Sequence, residues 1–151
     1  MNIIRDINLF LHVIATVIWI GGIIFLYFVG PSMRALKIPD GNKLIRIMNL
    51  RFRKLSYMAV AVIVITGIGN LSFYGGPGNP FAIVMHHKVL MWKLLLVVLM
   101  LIIKLFHDFV AGPKAAAAKE QGDPRWWLAA DILGKLNLFI GLTVVYLALM
   151  L

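Results

Sequence analysis

No cysteine occurs in the 151 residues, so disulfides, thiolate metal sites and cysteine-held iron–sulfur clusters are excluded. Any bound metal must rely on His, Met, Lys or oxygen ligands. Acidic residues are scarce, with 6 Asp+Glu against 15 Lys+Arg, which leaves a formal net charge of +9. The period-two alternation of a membrane barrel is missing, and there is no internal repeat. Base-reading motifs and stacking aromatics are missing as well, so the positive charge does not point to nucleic acid.

Apolar residues are abundant. They make up 62% of the chain, and the mean hydropathy is +0.92. A soluble domain of this length could not hide that much apolar surface. Four runs carry the excess: Ile7 to Val29, Leu55 to Leu71, Pro80 to Ala111 and Trp126 to Leu151. Each approaches or exceeds the ~20 residues that span a hydrocarbon core at helical rise. Lipid cannot satisfy open sheet edges, so the expected fold is all-α, an integral membrane four-helix bundle forming a single domain. Its helices are expected over about 4–30, 41–72, 80–111 and 125–150. The N-terminal run is too long for a signal peptide and lacks a small-residue cleavage site, so it reads as a retained helix.

Local chemistry suggests the boundaries. Pro31 is expected to stop the first helix after Gly30. Asp40 can cap the second. Asn79-Pro80 reads as a cap with proline at the first helical position, which would put Met85, His86 and His87 inside the third helix. Gly112-Pro113 should end that helix, leaving Ala115–Ala118 as a short surface link. Trp126 and Trp127 suit an interfacial aromatic belt.

Ionisable residues inside spans are functional candidates, because a Lys or Asp at helix centre costs ~2.5–3.5 kcal/mol. On the first helix, Asn8, His12, Ala15, Trp19 and Gly22 recur at three- and four-residue steps and form one stripe. On the third, His86, Lys93, Met100, Lys104 and His107 share a face, while Met91, Leu94, Val98, Leu101 and Leu105 follow His87 along a lipid-facing one. Counted from the starts of their helices, His12 and His86 lie at a matched depth of ~8–9 Å. Two imidazoles so placed can clamp a metal or serve as axial ligands of a b-type haem. Gly21, Gly22, Gly67 and Gly69 would leave room for the ring, and Thr66 and Asn70 could bind a propionate. His87 is the weaker ligand candidate and sits nearer the headgroups. Lys104, His107, Asp108, Asp131 and Lys135 form a second group, readable as a salt-bridge network, a second site or a proton path.

Three stretches carry a family resemblance: LHVIATVIWIGGIIFLYFVGP from Leu11, FRKLSYMAVAVIVITGIGNL from Phe52 and KVLMWKLLLVVLMLIIKLFHDFVAGP from Lys88. They resemble the copper-resistance D (CopD) family of four-helix membrane domains and, distantly, the HemJ-type protoporphyrinogen oxidases. The first resemblance implies copper handling. The second implies a b haem ligated by His12, with Lys93 as a second ligand or functional group, and an oxidoreductase activity. The readings therefore stand in order: a haem protein of electron transfer, a copper-handling protein in which Met85-His86-His87 is a soft Cu(I) site, and an oxidase. Membrane lipids are the expected partners, with a quinone or redox protein for electron exchange and a homodimer as further options.

Seven cations, Arg34, Lys37, Lys43, Arg46, Arg51, Arg53 and Lys54, lie between the first and second runs, whereas Phe73 to Asn79 carries no charge. The Lys/Arg excess marks the cytoplasmic side of a cell (inner) membrane, so both termini should face outward. Reporter fusions at Leu151 and Ala117 test this. The first should report the outer side and the second the cytoplasm, and a cytoplasmic C-terminus would refute the topology.

Overall fold

A computed structural model describes residues 2–36, 39–75, 84–85, 87–121 and 124–151. Among them there is no strand, and four helices are long and apolar enough to cross a membrane. The helices are α1 (Ile3–Ala35), α2 (Gly41–Gly75), α3 (Lys88–Phe106), α4 (Gly112–Gln121) and α5 (Pro124–Ala148). A π turn, His107–Ala111, joins α3 to α4 without breaking the rod. The chain falls into two compact units, Met1–Pro80 and Phe81–Leu151.

In the first unit α1 packs on α2. The stripe expected to face inward does so: Ala15 and Trp19 are buried, and Asn8, His12 and Gly22 are half-buried. On α2 the matching face carries Ser56, Ala59 and Thr66, all buried. Small residues let the two backbones approach closely, the usual way membrane helices gain packing where lipid offers no hydrophobic drive. Gly22 shows how tight this is, because a Cβ there would land in the Phe52 ring. Gly22 and Gly69 therefore serve close packing between the two helices. Phe52 fills the space beside Gly22, and a Cβ on Gly69 would stand 2.8 Å from Asn8 Oδ1. Gly21 differs, with nothing within 4 Å of its would-be Cβ.

Pro31 does not end α1, which continues to Ala35. A proline inside a helix removes one hydrogen bond, but here it lies within the last turns, where water and headgroups can replace it. Ser32 Oγ donates to the Phe28 carbonyl one turn back, at 2.8 Å. Asp40 sits at the start of α2 as expected. It has φ 56, a left-handed value that Asp tolerates, and its carbonyl accepts from Leu44 N–H at 3.0 Å.

The second unit departs further from expectation. The start at Pro80 lies outside the described residues, and the long helix begins at Lys88, with His87 extended ahead of it (φ −103, ψ 95). His86, His87 and Lys88 interrupt the apolar run at this point in the sequence. At the other end Gly112-Pro113 does not stop the rod. Gly112 N–H bonds His107 O, five residues back, and this widened turn precedes Pro113. An α-helix would press the proline ring against the carbonyl four residues earlier, and the extra residue relieves that clash. Ala115–Ala118 thus belongs to α4 rather than to a loop. Lys114 Nζ lies 4.2 Å from the Trp126 ring centroid, a cation–π contact that ties α4 to α5.

The Gly22–Phe52 fit yields a stability test. Gly22→Ala should lower stability by about 1–3 kcal/mol through overpacking. Gly21→Ala, facing open space, should be neutral, and Phe52→Leu should restore part of the Gly22→Ala loss. Thermal unfolding of the detergent-solubilised chain reads all three. Equal effects from the two alanines would refute the packing account.

Candidate functional site

The polar residues of the first unit form one connected group near the end of the hairpin where α1 begins. His12 Nδ1 lies 2.8 Å from Thr66 Oγ1. Thr66 is buried, and its hydroxyl donates to the Val62 carbonyl at 2.6 Å. A hydroxyl has one proton, so toward His12 the oxygen acts as acceptor and Nδ1 must carry hydrogen. The neutral ring then has its lone pair on Nε2. A hydrogen bond that fixes the tautomer and ring orientation from behind is the usual support for a ligating histidine.

Asn8, one turn before His12, completes the group. Its Nδ2 donates to the Thr66 carbonyl at 2.9 Å and to Asn70 Oδ1 at 2.8 Å. Thr16 Oγ1 donates to the His12 carbonyl at 2.8 Å, so the backbone of His12 is braced as well. Thr66 and Asn70 were expected to bind a ligand, and here both hydrogen-bond across the helix pair. A Cβ on Gly67 would lie 3.6 Å from His12 Cε1, so the ring has a close neighbour on that side. Trp19, two turns along the same stripe, is buried beneath this group. Asn8 is the member the sequence reading underrated. It could have been found from its one-turn offset to His12, matched by the one-turn offset of Asn70 to Thr66.

In the second unit His86 lies outside the described residues, so its place as a ligand partner of His12 is not described. A matched depth for His12 and His86 requires a helix from Pro80, which lies outside the described residues, and the long helix begins at Lys88. Its neighbours are exposed: Met85 shows 75% of its surface, and His87 stands at the helix start with no side-chain cap bond. Lys93 is half-buried on α3. On the face expected to meet lipid, Leu94, Val98 and Leu105 are exposed and Met91 and Leu101 are half-buried, while Met100 and Lys104 are buried.

The inner group contains a trio around Asp108 and a pair on α5. Lys104 Nζ lies 2.9 Å from Asp108 Oδ2, with both side chains about nine-tenths buried. His107 Nδ1 lies 3.0 Å from the other oxygen, Oδ1, so one carboxylate serves two partners at the π turn. Lys135 and Asp131 pair at 2.6 Å on a more exposed face of α5. Each Lys–Asp pair spans one turn of its own helix. The buried pair would be costly to break, because removing one partner strands the other charge. The half-exposed pair contributes little. Asn137 on α5 is buried with no partner for its Oδ1, a polar position the sequence reading passed over. Among the described residues no three His, Cys, Asp or Glu side chains come together as a metal cluster.

Residues 46–151 match the copper resistance protein D family, a stretch that takes in all but the first turn of α2 and everything after it. An uncharacterized protein of Aquifex aeolicus (strain VF5) is 29% identical over 148 residues, which cover 97% of this chain and 94% of that protein. No solved structure matches. With four membrane-length helices and a match over more than half its length, the chain is a multi-pass membrane protein that belongs to the copper resistance protein D family.

Proposed function

We propose that this protein handles copper as cargo in the inner membrane, capturing it at the Met85–His87 stretch. The observation that carries the reading is the exposure of Met85 and His87 within the family-matched residues of a chain without cysteine. A thioether and imidazoles are the donors such a chain has left for a soft cation, and Cu(I) prefers them. His86 stands between the two in sequence and supplies a further imidazole. Exposure suits a capture site, since a cargo ion must enter and leave without unfolding its ligands.

A b-type haem is the second reading, and His12 is what favours it. The Thr66 hydroxyl holds the ring in the tautomer that presents Nε2 to a metal. When bound, a haem would supply one-electron chemistry. The rest of the hairpin fits it poorly. Phe52 and Asn8 occupy the space beside Gly22 and Gly69, and Asn8 and His12 take up Asn70 and Thr66. The hairpin offers a ligating nitrogen, while the space beside Gly22 and Gly69 is already filled, so copper ranks first. The same nitrogen could receive copper within the membrane.

Copper stoichiometry of the purified chain, measured with a chromophoric Cu(I) competitor, separates the two. Wild type should hold Cu(I), and Met85→Leu combined with His86→Ala and His87→Ala should weaken binding by at least about a hundredfold, the upper end of what losing only the groups that support a ligand costs. X-ray absorption should show mixed sulfur and nitrogen ligation. Unchanged affinity in the triple variant would overturn the capture site. A coloured preparation with a low-spin b-type spectrum that His12→Ala abolishes would establish the haem reading in its place.

A further inference from the structure

The first unit presents an outward flank whose polarity does not follow its depth. Phe52 faces Gly22 across the hairpin, so the two residues lie at one level, and Arg51 stands opposite about Ile23. Beyond that level α1 stays apolar from Ile24 to Val29, roughly 9 Å further along at helical rise. Taking Phe52 as the inward direction on α2, Arg51 falls on the same side as Ile47, Leu55 and Met58, by three- and four-residue steps. Ile47, Leu55 and Met58 are exposed, and so is Arg51. On the adjoining side of α1 lie Gly21, Phe25 and Phe28, also exposed. Arg51, with Lys54 one turn on, therefore sits beside a surface that is otherwise apolar along both helices.

Among the described residues no carboxylate neutralises Arg51 or Lys54. α2 itself contains no Asp or Glu. Gly21 leaves a notch at this level, with no atom within 4 Å of a built Cβ. A guest that fits must carry an anion for Arg51 and Lys54 and hydrocarbon for Leu55 and Met58. That description is an amphiphile with a negative head. We propose that this flank is a seat for one anionic phospholipid, its phosphate on Arg51 and Lys54, its acyl chain along Leu55 and Met58, and its glycerol region beside Gly21 and Phe25. This is more than the diffuse attraction of a basic loop to an anionic leaflet, because the phosphate is met at one level and one flank. Arg suits the task through its forked donors, which grip two phosphate oxygens at once.

Native mass spectrometry of the full chain, released from detergent with equimolar phosphatidylglycerol and phosphatidylcholine, tests the proposal. Wild type should retain phosphatidylglycerol preferentially. Arg51→Gln with Lys54→Gln should reduce that preference by at least about tenfold, given what each cation contributes near an anionic surface. Lys43→Gln with Arg46→Gln removes the same charge from the same helix and should leave the preference in place. Gly21→Leu fills the notch without altering charge and should also lose the lipid. Equal retention of the two lipids would overturn the proposal, as would an equal loss in both double variants. Displacement of the lipid by inorganic phosphate at matched concentration would show a free-anion site and overturn the lipid assignment.

Discussion

Hydrocarbon provides no hydrogen-bond partner, so every polar side chain on a membrane helix must find one on the protein or reach the interface. The first unit answers this demand with a chain of donors and acceptors across two helices. Asn8 bridges the Thr66 carbonyl and the Asn70 side chain, and the Thr66 hydroxyl stands between the Val62 carbonyl and His12. The links from Asn8 and His12 fix the register of α1 against α2, because sliding either helix by a turn would break all three together. The orientation of His12 follows from that register. Its tautomer is set by a hydroxyl whose only proton is committed elsewhere, so the chemistry of the ring is decided by packing in the neighbouring helix.

The same constraint explains what could be read from the sequence. Helix existence was legible, since lipid enforces length and apolarity, and all four expected spans are present. The inward stripe of α1 was legible too, because His12, Ala15 and Trp19 keep three- and four-residue spacing. The helix ends were not. Proline is a stop signal where water competes for the backbone, and Pro31 and Pro113 both lie inside helices here. The extended backbone of His87 ahead of Lys88 carries no stop signal in the sequence, and the expected start at Pro80 lies outside the described residues.

The candidate site was legible in residue types and opaque in pairings. His12 stood out because histidine is rare in a span, and Thr66 and Asn70 because they lie one turn apart. Their roles depended on which residue of α1 meets which residue of α2, and that is set by Gly22 against Phe52 and by Asn8 beside Gly69. Glycines illustrate the ambiguity well. A missing side chain can mean a vacancy or an intruder, and the neighbours of Gly21 and Gly22 differ in this respect although the two are adjacent.

The π turn at His107–Ala111 has a further implication. A turn with one residue too many is what a single-codon insertion into a regular helix leaves behind when the helix absorbs it. Everything after the turn is rotated by about 100° relative to an uninterrupted helix. The helical wheel of α3 therefore cannot be carried into α4, and Lys114 and Ala118 belong to a different angular frame from Met100 and Lys104. The angular offset helps one continuous helical stretch present a buried ion pair on one side and, about two turns later, a lysine to Trp126.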